Sequence, residues 1–486
     1  MARALFRMPV PRFQAPKWLL LTALLALTVP GAALGAASPH SSRQPVSALG
    51  ALSQLSGKNG CVAGAAKPRA GCRRVRALSG PAPLLGSHAI AISPDGRNVY
   101  VASSKSNAIA VFTRSARTGA LTQRSGRAGC IAARGGGGCA RGIGLGAPNS
   151  VAVSPDGRNV YATSLVSRAV VILRRNRRTG ALTQLGTGSG CIADSATPGC
   201  TTGRALDGPD IVAVSPDGKS VYVGAFAGSA LAVFSRNPST GALTQPTDAT
   251  GCFVNTPTSG CTTALALGSP EGVTVSGDGK NVYVAAPGSD ALDTFARNTS
   301  NGTLTQATDG TGCISSSAVA GCTLGIQMAG ADAVVVSPND GDIYVTSLVS
   351  NTVTAFTRTS TGQPVQLTGT SACNINVLAV GCSLVRQLNG AEGLAVSPDG
   401  ANLYAVAYTS GALDVFNRNS GSGAVTQKSR APGCLVGSAT PGCTPARALH
   451  GASSIVVSPD GRNVYAAAFK SNAVAVFKRV TKSMTR

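Results

Sequence analysis

The chain has 486 residues, 43% hydrophobic, 13% charged and 4% aromatic, with 60 Gly, 14 Cys and a formal charge of +23. So much glycine with so little charge fits many short strands joined by turns. A helical solenoid is excluded, because no 3.6-residue apolar periodicity is sustained after the N-terminal segment.

That segment comes first. Arg3, Arg7, Arg12 and Lys17 precede an apolar run from Trp18 to Val29, and AALGAAS follows. A basic n-region, an apolar h-region and an Ala-x-small pattern predict a signal peptide over 1–37, cut near Gly35–Ala37. The run is shorter than the roughly 20 residues a membrane-spanning helix needs, and the alternative of an uncleaved anchor is the weaker one. The mature chain, 38–486, is expected to be exported, with no transmembrane segment after cleavage, either extracellular or at the cell envelope.

Residues 50–57 read GALSQLSG, a phrase that recurs as GALTQRSG (119–126) at the end of a longer repeated unit. The Ser of a Ser-Pro-Asp-Gly turn falls at 93, 154, 215, 276, 337, 397 and 458, with SGDG and SPNDG in the fourth and fifth copies. Within 149–191, SVAVS, NVYATS, RAVVILR and GALTQLG are short β-rich runs separated by Gly, Pro, Asp and Asn. They predict antiparallel strands A, B, C and D. Four strands repeated seven times around an axis make an all-β, seven-bladed β-propeller. The expected blades are 88–126, 149–186, 210–247, 271–307, 332–369, 392–429 and 453–479 plus 47–57. The last unit stops after strand C, and the orphan phrase at 50–57 is the missing strand D. The N-terminal strand therefore completes the last blade and closes the ring.

The cysteines fall in seven local pairs: Cys61/Cys72, Cys130/Cys139, Cys191/Cys200, Cys252/Cys261, Cys313/Cys322, Cys373/Cys382 and Cys434/Cys443. An even count in regular pairs on an exported chain predicts disulfides. Zinc is excluded, since no second Cys pair or His sits nearby at ligand spacing. The strand-B tyrosines (Tyr100 to Tyr465) and strand-C phenylalanines are expected in the core. An Arg ending each strand C and an Asp in each A–B turn predict one Arg–Asp clamp per blade.

The residue five before each turn Ser leads into innermost strand A at the channel mouth. Around the ring it is His88, Asn149, Asp210, Glu271, Asp332, Glu392 and Ser453. Neighbouring positions repeat, whereas these vary yet stay polar, which suggests a ligand environment. Asn149, Asp210, Glu271, Asp332 and Glu392 are the candidate set for a hard cation such as Ca²⁺, whose oxygen ligands need no rigid geometry; the alternative is a solvated polar rim. No nucleophile elbow, phosphate loop or dinucleotide fingerprint is present, so no organic cofactor is expected. Should the mouth be catalytic, His88 would be the base, Glu271 or Glu392 its partner, and Arg168 or Lys105 would fix an acidic substrate.

Charge is unevenly spread. Residues 38–204 hold 22 Lys and Arg against 3 Asp and Glu, 205–425 hold 7 against 15, and 426–486 hold 9 against 1. Closure of the ring merges blades 7, 1 and 2 into one basic flank, suited to an anionic envelope polymer or another envelope protein. Nucleic acid is not expected of an exported chain with so few aromatics to stack bases. The module is expected to act as a monomer.

SPDGRNVYVAS (93–103), SPDGKSVYVGA (215–225) and YVTSLVSNTV (344–353) resemble the seven-bladed lactonase-like propellers and the related YVTN-repeat proteins, over residues 47–479. The resemblance implies the propeller fold. For function it implies hydrolysis of sugar lactones, as in 6-phosphogluconolactonase-like members, or cycloisomerisation of muconates. Such members often lead into strand A with Pro-Arg-His; here the triplets are SHA (87–89), PNS (148–150), PDI (209–211) and PEG (270–272). The leading expectation is a secreted binding or scaffold module, and the alternative is a lactonase-like hydrolase or cyclase at the channel mouth.

Overall fold

Each repeat is organised by its turn. In blade 2 the Ser154 hydroxyl donates to Asp156 (2.6 Å) and accepts from the Asn159 amide (3.0 Å), while Gly157 at φ +67° supplies the left-handed step of the turn. Strand A (Pro148–Val153) then pairs antiparallel with B (Asn159–Ser164), and B with C (Ala169–Arg175). The computed structural model describes residues 48–64, 71–81, 88–429 and 431–481. The expected signal peptide and its cleavage site lie outside them.

Seven such sheets form the propeller, and each is richer than four antiparallel strands. In blade 2, strand D is split: Leu182–Gln184 pairs with the end of strand C and Cys191–Ala193 with its start. A further strand E, Thr201–Thr202, lies parallel to the second half of D. The segment between the paired cysteines is long enough to turn back on itself, so the stretch expected to be plain D–A loop adds an edge strand.

All seven predicted disulfides are formed. They are Cys61–Cys72, Cys130–Cys139, Cys191–Cys200, Cys252–Cys261, Cys313–Cys322, Cys373–Cys382 and Cys434–Cys443, with Cα atoms between 4.6 and 4.9 Å apart. Their setting differs from a bridged loop, because each ties two paired strands together. The first cysteine of six pairs opens the second half of strand D, and Cys313 lies inside its longer counterpart, Gly310–Ser315. Of the second cysteines, Cys322 and Cys382 begin strand E, whereas Cys72, Cys139, Cys200, Cys261 and Cys443 stand immediately before it. The bridges thus pin strand E to a sheet that two or three backbone pairs alone would hold weakly.

The ring closes as expected. Leu52–Gln54 pairs with the last strand C, placing Leu52 opposite Arg479 and Gln54 opposite Phe477, and Cys61 faces Ala475. The tyrosine and phenylalanine rows are buried between sheets.

Two sets of side chains bolt the blades together. The Arg–Asp clamps are formed, but between blades rather than within one. Arg175 of blade 2 reaches Asp95 (2.9 Å) and the Tyr100 hydroxyl (2.8 Å) of blade 1, and Tyr100 donates to the Gly180 carbonyl of blade 2. The same contact recurs from Arg114–Asp460 to Arg479–Asp399. Substitutions in the fifth turn alter one of them: Asn339 stands where the other copies have the clamp Asp, and accepts from Ser337, while Asp340 takes the Gly position. Arg418 binds Asp342 and Asn339 there, while the Asp340 carboxylate accepts from the Gly277 and Asp278 amides of blade 4. Further out, every strand D presents a Gln that brackets the preceding blade's chain as a second backbone would. The Arg204 amide donates to Gln245 Oε1 (2.8 Å), and Gln245 Nε2 donates back to the Arg204 carbonyl (3.0 Å). Gln54 does the same to Arg447 across the last seam. The signal for this was present in LTQ, LSQ, PVQ and VTQ, whose Gln appears in every copy.

Candidate functional site

The varying ring sits where strand A is irregular. Its pairing with B slips between Pro148 and Val151, Pro209 and Ile211, Ala331 and Val334, Ala391 and Leu394, and Ala452 and Ser454. Asn149, Asp210, Asp332, Glu392 and Ser453 occupy these bulges, which re-aim a side chain out of the sheet's alternation. Successive strands A approach closely. A Cβ on Gly272 would lie 2.3 Å from the Asp332 carbonyl, and one on Gly393 would lie 2.5 Å from that of Ser453. Glycine beside Glu271 and Glu392 is thus a packing requirement.

The ring is not a wet rim. Asn149, Asp210, Glu271, Asp332, Glu392 and Ser453 are between 0% and 5% exposed, and His88 is partly buried. Asn149 Nδ2 donates to Asp210 Oδ1 at 2.7 Å. The other oxygens of both side chains, Glu271 Oε1 and both Glu392 oxygens are buried without a hydrogen-bond partner. Burial, with the neighbouring Asp332 charge opposing the Asn149 hydrogen bond, lifts Asp210 to about 8. Burial and repulsion from Asp332, Asp210 and Glu392 lift Glu271 to about 11. Glu392 is raised by burial and by Asp332 and Asp210, against the pull of Lys470. Asp210, Glu271, Asp332 and Glu392 come from consecutive blades and feel one another across an arc. Among the described residues no three His, Cys, Asp or Glu groups meet as a ready-made metal cluster.

Burial lowers His88 to about 4, leaving its imidazole neutral at pH 7. Its carbonyl accepts from the Val151 amide (3.1 Å) and the Ser150 hydroxyl (3.3 Å) of blade 2. Arg168 is engaged by Asp194 (2.6 Å) and Asp207 (3.0 Å). Lys105 sits 4.3 Å over the Phe469 ring and Lys470 4.3 Å over Tyr408, so these lysines lace blades 6, 7 and 1 together. The cysteines add no chemistry to the mouth. Cys72, Cys139, Cys322, Cys382 and Cys443 are bridge partners like the rest, and among the described residues no cysteine is free to act as a thiolate nucleophile or ligand. Two buried carboxyls went unnoticed in the sequence. Asp293 and Asp414, on strand C of blades 4 and 6, are fully buried, and each accepts from a strand-D Gln, at 3.0 and 2.8 Å. Their signal was an acid in ALDTF and ALDVF, where other copies carry Ala, Val or Thr.

The family model "Lactonase, 7-bladed beta-propeller" matches residues 85–191. Among solved structures, a candidate 6-phosphogluconolactonase from Bacteroides uniformis is similar at 19% identity and TM-score 0.50, over 76% of this chain and 88% of that one. Hydrazine synthase from Kuenenia stuttgartiensis is also similar, at 19% identity and TM-score 0.47, over 83% of this chain and 98% of that one. No curated protein matches.

Proposed function

We propose that this chain, a lactonase-like seven-bladed β-propeller, works outside the cytoplasm as a disulfide-braced binding module whose channel arc takes a cation. One observation carries the reading. Carboxyl groups from consecutive blades are buried together, and oxygens of Asp210, Glu271 and Glu392 have no hydrogen-bond partner there. Buried acceptors left unsatisfied are rare and destabilising, so a site that collects several fits a missing ligand. Hydrated Ca²⁺ is the first candidate, since its bound waters donate to oxygens too far apart to share one bare ion. Asp210 holds its proton up to about pH 8. Binding must therefore release protons and strengthen as pH rises. Calorimetry with Ca²⁺ should show binding that Asp210→Asn and Glu271→Gln weaken; no heat between pH 6 and 9 ends the reading. The seven disulfides support an oxidising compartment. In this reading the protein is secreted and monomeric, and its basic flank rests on an anionic envelope polymer.

The match over 85–191, which includes His88, favours a second reading: lactone hydrolysis or cyclisation at the mouth, with neutral His88 as base and Glu271 or Glu392 beside it. Turnover of a sugar lactone that His88→Ala abolishes would replace the binding module by an enzyme.

A further inference from the structure

Two recesses flank the junction of blades 7 and 1. The outer one, about 410 Å³, is lined by Arg73, Arg74 and Arg76 of the N-terminal segment and Arg124 of blade 1. The lower one, about 420 Å³, is lined by Arg117, Arg462, Lys478 and the clamp residue Arg479, which Asp399 holds. Among the described residues neither is lined by a carboxylate. Leu55, in the wall of the lower recess, leads into the turn whose Asn59 accepts from Arg73 Nη2 at 3.1 Å, so one short segment joins the two.

The basic lining departs from the repeat. The two residues after the second cysteine are Arg73 and Arg74 here, but Thr201 and Thr202, Thr262 and Thr263, or Ser383 and Leu384 in other blades. The corresponding recess between blades 4 and 5 is lined by Ile314, Leu324 and Val365. Recesses thus come with the architecture, and the outer one at this seam gathers four arginines where its counterpart between blades 5 and 6 has two cations, Arg386 and Lys428. Little neutralises the seam's charge. Arg76 donates to the Arg124, Gly126 and Gly137 carbonyls, which fixes its position without cancelling its charge. Arg73 Nε is buried with no partner. Arg117, Arg124, Arg462 and Lys478 enter no ion pair among the described residues.

We infer that the seam between blades 7 and 1 binds a linear polymer of phosphate groups, one stretch in the outer recess and the next in the lower. The inference rests on the reading of the basic flank as a polyanion contact and names its site and chemistry. Seven of the eight cationic side chains are arginines, all but the Asp399-bound Arg479 outside the blade clamps, and their planar forks match phosphate oxygens in pairs. Neither recess offers an aromatic face on which a base could stack.

The test titrates labelled long-chain inorganic polyphosphate into the intact mature protein by fluorescence anisotropy at several salt concentrations. Replacing three outer residues by their counterparts in other blades (R73S, R74T, R124L) should weaken binding about ten-fold and flatten the log–log salt slope by roughly 2. The lower set (R117S, R462A, K478T) should do likewise. A control losing three exposed charges in blade 2 (R158A, R177S, R178S) should change binding less than about two-fold. Unchanged melting by circular dichroism keeps the comparison fair. Equal weakening by the control overturns the inference in favour of diffuse charge. A single-stranded oligonucleotide of matched charge that binds about ten-fold tighter overturns it in favour of nucleic acid. Tight binding that neither seam variant alters refutes the seam alone. A wild-type protein that binds no polyanion refutes the flank reading as well.

Discussion

Glu271→Gln tests the channel arc through stability, independently of any ligand. Glu271 is 1% exposed, and burial and three neighbouring carboxyls lift it to about 11. Unfolded, the same group titrates near 4.5, so at pH 7 folding must protonate it. With about 1.36 kcal/mol per pH unit, that protonation lowers native stability by at most about 3 kcal/mol. A carboxyl whose folded pKa is raised contributes fully below about pH 4.5 and loses that contribution as pH climbs toward about 11. Glutamine keeps the shape without the proton requirement. The variant should therefore melt about 3 °C higher at pH 7, given the large unfolding entropy of a chain this size. At pH 4 the two proteins should melt together. Scanning calorimetry across pH 4–8 reads both. A gain of equal size at pH 4, or a loss at pH 7, would refute the claim that Glu271 is held uncharged. Saturating Ca²⁺ should in turn raise the melting point of the wild type more than that of the variant.

The interlocks make further predictions. Arg297→Ala removes the charge partner of Asp217 and a donor to the Tyr222 hydroxyl at a seam and should destabilise by about 3 kcal/mol, with amide exchange accelerating first between blades 3 and 4. Replacing Cys252 and Cys261 by Ala removes a bridge of sequence separation 9 and should cost about 2–3 kcal/mol in chemical denaturation; no change would assign these bridges to another role. Burial raises Asp293 despite the Gln306 hydrogen bond, so it stabilises below about pH 4 and that contribution is lost as pH rises. Asp293→Ala, which restores the residue found at Ala110 and Ala232, should raise the melting temperature at pH 8 and leave it unchanged at pH 4.

What could be read beforehand was whatever the repeat states seven times. Turn serines 60 or 61 residues apart counted the blades, and GALSQLSG without its preceding strands gave the closure that Leu52 and Arg479 make. The ring residues emerged because they alone varied. What stayed hidden was relational. Thr201 and Thr202 form a strand only because the 191–200 disulfide lays them beside strand D; two threonines carry no periodicity. The clamp needed to be assigned to neighbouring blades, which depends on blade rotation and not on the chain's local pattern. Burial of Asp210, Glu271, Asp332 and Glu392 was hidden for a stronger reason. Charged side chains are almost never fully buried unless paired, so the sequence placed these residues at an open channel mouth, as ligand site or solvated rim, and not inside the wall. Bulges and the flanking Gly272 and Gly393 are what draw them into the wall.

A propeller of seven near-identical units supplies its own controls, and that changes how a departure from the pattern should be weighed. At an ordinary surface position a lone arginine or aspartate has no reference state. Here Arg73 and Arg74 are compared with Thr201 and Thr202, and Asp293 with Ala110 and Ala232, in the same local geometry. The consensus residue is already known to fit, so reverting to it separates an effect of charge from one of misfolding. By that standard the arc is the sharpest departure on the ring. Consecutive blades place buried carboxyls where Ser453 shows that a small neutral side chain suffices. Packing alone does not require those acids, and their mutual repulsion opposes folding at neutral pH. In the reading proposed above, a bound cation is what offsets that repulsion, and reverting Asp210 or Glu271 to a neutral side chain would then cost binding while it raises stability at neutral pH.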